Sequence, residues 1–254
     1  MGTDIMLTSR AKKYNSLFSL FKKKLSSTPL RADIHSHLLP AIDDGVADFD
    51  ESIRVIQQLH ELGYQKLITT PHIKSDSYRN TPAVIHQKWF ELKEAISHYH
   101  LPVEIEVAAE YYLDSWLIHQ VDTNQPLLTF GDKYFLFEIN YITEPYQLND
   151  FIFKLITLGY KPVLAHPERY LSMTMSRIED LHYRGVLLQA NIMSFTDYYT
   201  KPIRRFVSQM VDKGWINFLG SDCHGAHHLK PISDAFHSRH FKKALDLPLL
   251  NYQL

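Results

Sequence analysis

Residues 31–45 read RADIHSHLLPAIDDG, and they place two histidines and two adjacent acids around the end of a short strand-like run. In an extended strand, residues i and i+2 point to the same side, so His35 and His37 can face one point together. The stretch therefore predicts a strand whose carboxyl end carries ligands or catalytic groups. Asp44 also has a simpler interpretation, as a turn residue ahead of Gly45.

Strand-like runs alternate with helical patterns along the rest of the chain. The runs cover residues 30–35, 66–70, 103–112, 134–140, 162–166, 185–191 and 216–222, and the helices cover about 48–62, 82–100, 144–158, 174–184, 200–213 and 231–244. This alternation predicts an α/β fold with a parallel sheet covered by helices. Seven strands are close to a (β/α) barrel with one unit missing, and an open doubly wound sheet is the competing arrangement.

Ionisable residues follow nearly every predicted strand. They are His35, His37, His72, Glu110, Glu138, His166, Asp222 and His224, and Asp44 follows in the first loop. In a parallel barrel all these ends open on one face. Burying so many acids and imidazoles without compensating charge is costly, and divalent cations would remove that cost. The sequence therefore predicts a multinuclear site of two or three ions, and mixed His and carboxylate ligands suit manganese, iron or zinc.

Composition narrows the class of protein. Of 254 residues, 45% are hydrophobic, so a sizeable core is expected. The 27 basic and 28 acidic residues nearly cancel, which gives no overall electrostatic footprint for nucleic acid. A single cysteine, Cys223, fits a reducing, cytoplasmic setting, and the HGAHHLK that follows it lacks the arginine a cysteine-based phosphatase needs.

The amino-terminal segment differs from the rest of the chain. We expect residues 1–30 to form a basic extension and residues 31–254 to form one domain. Residues 10–25 mix lysines with leucines and phenylalanines, which fits either weak contact with an anionic membrane surface or packing on the domain. The chain shows neither the apolar region of a signal peptide nor a stretch long enough to span a bilayer.

Six motifs in one order carry a family resemblance. The motifs DIHSHLLPAIDDG, TPHI, AAEYY, LFEIN, AHPERY and GSDCH resemble the PHP (polymerase and histidinol phosphatase) domain phosphoesterases over about residues 32–240. Within these, the sequence is most similar to the CpsB/YwqE-like protein tyrosine phosphatases of bacterial capsule and exopolysaccharide loci. The resemblance implies a distorted (β/α)7 barrel with a manganese-type cluster of three ions at the carboxyl ends of the strands.

The resemblance also implies roles for individual residues. It implies metal contacts from His35, His37, Asp44, His72, Glu110, Glu138, His166, Asp222 and His224. It implies that Arg169 helps to hold the phosphate. We take Arg169, His224 and Asp44 as the catalytic candidates, with His224 or a water as proton donor to the leaving group. Tyrosines 78, 141, 146, 198 and 199 lie in candidate loops where they can stack on a substrate ring.

One departure from the family pattern concerns the loop after GSDCH. Close relatives often carry an arginine there that can meet phosphate, whereas this chain reads GAHHLKPIS. Lys230, His227 and His228 are the candidate replacements in that loop.

The expected activity is metal-assisted hydrolysis of a phosphotyrosine protein, with a bacterial tyrosine kinase that regulates polysaccharide export as the implied partner. A histidinol-phosphate phosphatase, a PHP nuclease and a non-catalytic metal-binding interaction module are the alternatives.

Overall fold

The computed structural model describes residues 28–254, so the predicted contact of residues 10–25 with a membrane lies outside the described residues. The strands are β1 (Ala32–Asp33), β2 (Lys66–Thr69), β3 (His72–Ile73), β4 (Glu104–Val107), β5 (Glu110–Tyr112), β6 (Tyr134–Glu138), β7 (Lys161–Ala165), β8 (Leu187–Asn191) and β9 (Phe218–Gly220). The helices are α1 (Phe49–Glu61), α2 (Pro82–Tyr99), α3 (Ser115–Asp122), α4 (Leu148–Thr157), α5 (Met175–Tyr183), α6 (Lys201–Lys213), α7 (Ala226–Ala235) and α8 (Arg239–Ala244). Short 3-10 turns cover Pro167–Arg169, Ile192–Phe195 and Leu250–Gln253.

All paired strands run parallel, in the orders β1-β2-β4 and β3-β5-β6-β7-β8-β9. β2 and β3 are two parts of one strand interrupted at residues 70–71, and β4 and β5 are interrupted at 108–109. Backbone hydrogen bonds span the interruptions, from the Ala108 N–H to the Thr69 carbonyl (3.0 Å) and from the Glu110 N–H to the Pro71 carbonyl (3.1 Å). The nine segments therefore occupy seven strand positions, as the sequence predicts.

The first and last strand positions meet just beyond β1 and β9. Ser36 and Cys223 form an isolated parallel bridge. The His37 N–H donates to the Cys223 carbonyl (2.9 Å), and the Asp222 N–H donates to the His35 carbonyl (2.7 Å). Within residues 28–254, β1 and β9 are not paired with each other in either sheet. This arrangement agrees with the expected distorted (β/α)7 architecture. It also brings the candidate site residues that follow β1 next to those that follow β9.

Alternation along the strands separates two apolar layers. In β6, Phe137 packs on Phe151 of α4, with ring centroids 5.5 Å apart, and so faces the helices. Leu136 belongs to a second buried cluster with Ile34 and Phe218, which lies on the other side of the strands. Glu138 shares the strand face of Leu136, because side chains two apart point the same way. The apolar inner face of β6 thus ends in a carboxylate.

Three elements differ from the sequence-based expectation. The predicted strand 103–112 is divided into β4 and β5, and the helix expected near 231–244 is two helices, α7 and α8. α7 begins at Ala226 and contains Pro231, a residue that normally disfavours a helix interior. α3 was not predicted; Asp114 caps it by accepting the Leu117 N–H at 2.9 Å. Within residues 28–254, no helix is long and apolar enough to cross a membrane.

Candidate metal centre

The structure brings all the predicted ligands together at the carboxyl ends of the strands. Their ligand atoms form four groups, and within each group the atoms lie within 4.8 Å of one another. The groups are His37–Asp44–His72–His224, His35–His37–Asp222, His35–Glu110–His166 and His72–Glu110–Glu138. Side chains that are up to 189 positions apart in the sequence, from 35 to 224, therefore share one site.

Glu110 lies at the centre of this cluster and is fully buried. Its Oε2 atom is 3.1 Å from His35 Nε2, 3.2 Å from His72 Nδ1 and 3.4 Å from His37 Nε2. Its Oε1 atom is 3.0 Å from His166 Nε2. Oε2 makes no hydrogen bond with the described residues, although three imidazole nitrogens converge on it. A buried carboxylate oxygen with several nitrogens around it and no hydrogen bond fits a cation-binding site.

Asp222 connects the cluster to Arg169. Its Oδ1 atom is 3.5 Å from His35 Nε2, and its Oδ2 atom accepts hydrogen bonds from Arg169 Nη1 and Asn191 Nδ2, both at 2.7 Å. Burial alone would raise the pKa of Asp222, but the charges of His35, His224 and Arg169 hold it below its usual range. The carboxylate is therefore ionised and available as a ligand.

Glu138 is in the opposite electrostatic situation. Its burial, together with the carboxylates of Glu110 and Asp222, raises its pKa well above the usual value. Three acids this close repel one another in a poorly solvated site. A divalent cation would relieve that repulsion, so the composition of the donor set also fits bound metal.

Asp44 and His224 lie at the solvent-facing rim. Asp44 Oδ1 is 3.5 Å from His72 Nε2 and 3.6 Å from His224 Nε2, and its side chain is half exposed. Its interaction with His224 lowers the pKa of Asp44 to about 2. Both residues border the same cavity, where they can reach a ligand as well as a metal.

Two residues outside the predicted ligand set orient the ligands. Asp43 Oδ2 is 2.9 Å from His37 Nδ1, and Gln189 Oε1 is 2.9 Å from His35 Nδ1. Each contact engages Nδ1 and leaves Nε2 directed at the cluster, which is how partners of metal-binding histidines act. The sequence does not show which of the two adjacent acids, Asp43 or Asp44, orients a histidine. Gln189 lies in an apolar strand, where no motif marks it as a site residue.

Backbone conformation at two strand ends contributes to the geometry. His166 and Asp222 both adopt left-handed φ angles, of 33° and 51°. Such angles are unfavourable for residues with a side chain and are common at functional sites. Gly220 packs so closely that a Cβ atom there would lie 2.7 Å from His35 Cβ and 2.8 Å from Gln189 Nε2. Only glycine fits this position, next to two groups that shape the site.

A cavity of about 350 Å³ opens above the cluster. It is lined by Asp44, His72, Lys74, Ser77, Tyr78, Glu110, Glu138, Tyr141, His166, Arg169, Asp222 and His224. The Arg169 guanidinium carbon lies 5.0 Å from the ring centre of Tyr141 and 4.7 Å from that of Tyr199. The guanidinium is therefore held between two rings and against Asp222, with access to the cavity.

The loop tyrosines have different positions. Tyr78 and Tyr141 line the cavity, Tyr199 supports Arg169, and Tyr146 and Tyr198 are not among the lining residues. The cavity is also not lined by any of the candidate replacements for the second arginine, which are Lys230, His227 and His228. Lys74 lines it instead, and its sequence context gave no reason to select it.

Cys223 is fully buried and does not line the cavity. Burial raises the pKa of its thiol to about 12. A thiol in this state is a poor nucleophile, which agrees with the sequence-based argument against cysteine chemistry.

Comparison with known proteins identifies relatives that are tyrosine-protein phosphatases. The chain is 28% identical to the tyrosine-protein phosphatase YwqE of Bacillus subtilis over 194 residues, which cover 76% of each protein. It is 23% identical to the tyrosine-protein phosphatase CpsB of Streptococcus agalactiae, over 76% of this chain and 82% of the relative.

The fold is also similar to that of a solved structure from work on YwqE of Bacillus subtilis and CpsB of Streptococcus pneumoniae, described there as unique metal-dependent tyrosine phosphatases. That match has a TM-score of 0.79 and 26% identity, and it covers 87% of this chain and 91% of the solved chain. The family model for capsular polysaccharide synthesis proteins CpsB/CapC matches residues 31–244. On this evidence the chain belongs to the CpsB/CapC family.

Proposed function

We propose that this chain is a metal-dependent phosphatase that hydrolyses phosphotyrosine in a protein substrate. The observation that carries the proposal is the convergence of three histidine nitrogens, 3.1–3.4 Å away, on the Glu110 Oε2 atom, beneath a cavity that Arg169 also lines. A cation-binding cluster and an arginine in one cavity are the groups that phosphomonoester hydrolysis requires. The names of the relatives YwqE and CpsB support phosphotyrosine as the substrate.

We propose that the centre holds two or three divalent ions, with manganese preferred and iron or zinc as alternatives. The nine residues of the four ligand groups would hold them, and Glu110 offers one carboxylate to two of these groups. When bound, the ions supply Lewis-acid stabilisation of phosphoryl oxygens and make water a nucleophile near neutral pH.

The protein groups supply binding, orientation and proton transfer. Arg169 offers a planar fork of N–H donors to the phosphoryl oxygens, and its contact with Asp222 fixes the direction of the fork. Tyr141 borders the same cavity and can contact the substrate ring. The proposed proton donor to the departing phenolate is His224, if its Nε2 holds no ion, or otherwise a water in the cavity. The phenol pKa of about 10 makes that proton helpful but less critical than for a serine ester. Asp44 positions His224 through their rim contact.

The partner is proposed to be a tyrosine-phosphorylated protein, namely a bacterial tyrosine kinase that regulates capsule or exopolysaccharide synthesis. Membership of the CpsB/CapC family supports the capsule context. The single cysteine supports a reducing, cytoplasmic setting.

A kinetic comparison tests the proposal. With Mn²⁺ present, a phosphotyrosine peptide should be hydrolysed with a higher kcat/KM than a phosphoserine peptide or histidinol phosphate. Equal or better turnover of histidinol phosphate would favour the small-molecule phosphatase, and salt-sensitive cleavage of single-stranded DNA would favour a nuclease. Metal binding without hydrolysis of any aryl phosphate would favour a non-catalytic module.

A further inference from the structure

Two basic residues other than histidine line the cavity among those the structure describes, Arg169 and Lys74. They come from different strand positions: Arg169 follows β7, and Lys74 follows β3. Lys74 is two residues after His72, so in this extended segment both side chains lie on the cavity side of the chain. Paired backbone hydrogen bonds with Tyr78, both 2.9 Å long, hold the Lys74 segment in place.

The two cations differ in how far the protein itself neutralises them. Arg169 donates to Asp222 at 2.7 Å and lies between two tyrosine rings. The Lys74 ammonium lies 4.4 Å from the ring centre of Tyr112, and its Asp76 contact is 4.0 Å long, to a carboxylate whose side chain is 73% exposed. A contact of that length with an exposed acid is weak. Lys74 therefore keeps donors for a ligand in the cavity.

From this juxtaposition we propose that Lys74 binds a phosphoryl oxygen of the substrate, as the second cation beside Arg169. An ammonium group is a compact charge that can follow a phosphate oxygen without a fixed fork geometry. The candidates after β9, which the structure places in α7, do not fit this role, because none of them lines the cavity and Lys230 pairs with Asp234. The inference rests on the proposed function and adds a residue that sets affinity for the phosphate.

The test compares three variants with the wild-type protein, all loaded with Mn²⁺. Lys74→Met keeps an unbranched side chain over Tyr112 but removes the charge, and Lys74→Arg restores it. Lys230→Met is the matched control, since it removes the same charge outside the cavity. The measurements are the Kd for inorganic phosphate by calorimetry, KM and kcat for p-nitrophenyl phosphate, and metal content by elemental analysis.

Lys74→Met should weaken phosphate binding and raise KM by about tenfold, as expected for loss of one hydrogen bond to a charged group. Its metal content should equal that of the wild type. Lys74→Arg should recover most of the affinity, and Lys230→Met should match the wild type. Phosphate affinity of Lys74→Met within twofold of the wild type, loss of bound metal in that variant, or an equal loss in Lys230→Met would overturn the inference.

The direct binding measurement separates this inference from the proposed function. If phosphate binding depends on Lys74 while phosphotyrosine peptide is not hydrolysed, the phosphate contact stands and the phosphatase proposal fails. If the peptide is hydrolysed and phosphate binding does not depend on Lys74, the function stands and the Lys74 contact is wrong. A wild-type protein that neither binds phosphate nor hydrolyses the peptide overturns both.

Discussion

The Asp43 Oδ2 atom lies 2.9 Å from His37 Nδ1, and the same oxygen accepts the backbone N–H of His72 at 3.0 Å. One carboxylate thus fixes a candidate ligand side chain and the start of β3, which carries another ligand. Its Oδ1 atom accepts the Gly45 N–H at 3.0 Å, which anchors the loop itself. Both oxygens of Asp43 are occupied by these three contacts, so Asp44 rather than Asp43 is the acid that lines the cavity.

Replacing Asp43 with asparagine should weaken metal binding. An amide cannot accept at both oxygen positions, so either the His37 contact or the Gly45 contact is lost. Changes to partners of this type usually cost about 10–100-fold in metal affinity or activity. Competition with a chelator measures the affinity, and Asp132→Asn, at an exposed acid paired with Lys161, is the control. Unchanged affinity in Asp43→Asn would show that the contact is dispensable.

Replacing Arg169 with lysine should lower kcat/KM for an aryl phosphate by about 10²–10³-fold, the range seen when one donor to a transition-state oxyanion is removed. Lysine keeps the charge but loses the planar fork and its packing between Tyr141 and Tyr199. Steady-state kinetics measure the effect, and Arg177→Lys, outside the cavity, is the control. Because Arg169 contacts Asp222, metal content is measured in parallel. A decrease below threefold would contradict the assigned role.

Replacing Gly220 with alanine should affect both stability and metal binding. The added Cβ would overlap His35 and Gln189, and overpacking of this kind costs about 1–3 kcal/mol of unfolding free energy. Gly214→Ala is the control, since a Cβ atom added there would have no atom within 4 Å. Only the φ angle of 71° makes alanine unfavourable at that position. Denaturant unfolding should show a loss in both variants. Metal affinity should fall only in Gly220→Ala, and an equal fall in both would refute the explanation.

Removing metal with a chelator should lower the melting temperature. A ligand that binds only the folded state at about 100 times its Kd stabilises it by about 2.7 kcal/mol. For a domain of this size that corresponds to a shift of about 5–10 °C. Thermal unfolding with and without excess Mn²⁺ measures the shift, and Glu110→Gln should abolish most of it. A metal-independent melting temperature in the wild type would count against the centre.

The convergence of the candidate ligands was predictable because it depends on one geometric rule. Parallel strands in a barrel end on the same face, so a histidine or an acid at each predicted strand end must converge with the others. His35 illustrates this, since its Nε2 atom lies 3.1 Å from Glu110 Oε2 and 3.5 Å from Asp222 Oδ1. The positions of these residues in the site required no knowledge of the loops.

Features that depend on tertiary contacts were not predictable. The break between β4 and β5 falls within apolar residues that read as one strand. The left-handed φ angles at His166 and Asp222 occur without a glycine at either position to predict them. The position of Lys74 in the cavity depends on the turn at residues 74–78 after β3, where Lys74 and Tyr78 are paired by backbone hydrogen bonds. Sequence reasoning searched for the second phosphate contact only in the loop after β9, where the family pattern places it.

The stoichiometry of bound metal tests the central claim most directly. The protein is equilibrated with Mn²⁺, freed of unbound ions and analysed for metal per chain, beside a Glu110→Ala variant. Two or three ions per wild-type chain, with a clear loss in the variant, are the predicted result. A wild-type chain that retains no manganese, iron or zinc would contradict the account, because the buried cluster would then be held together without cations.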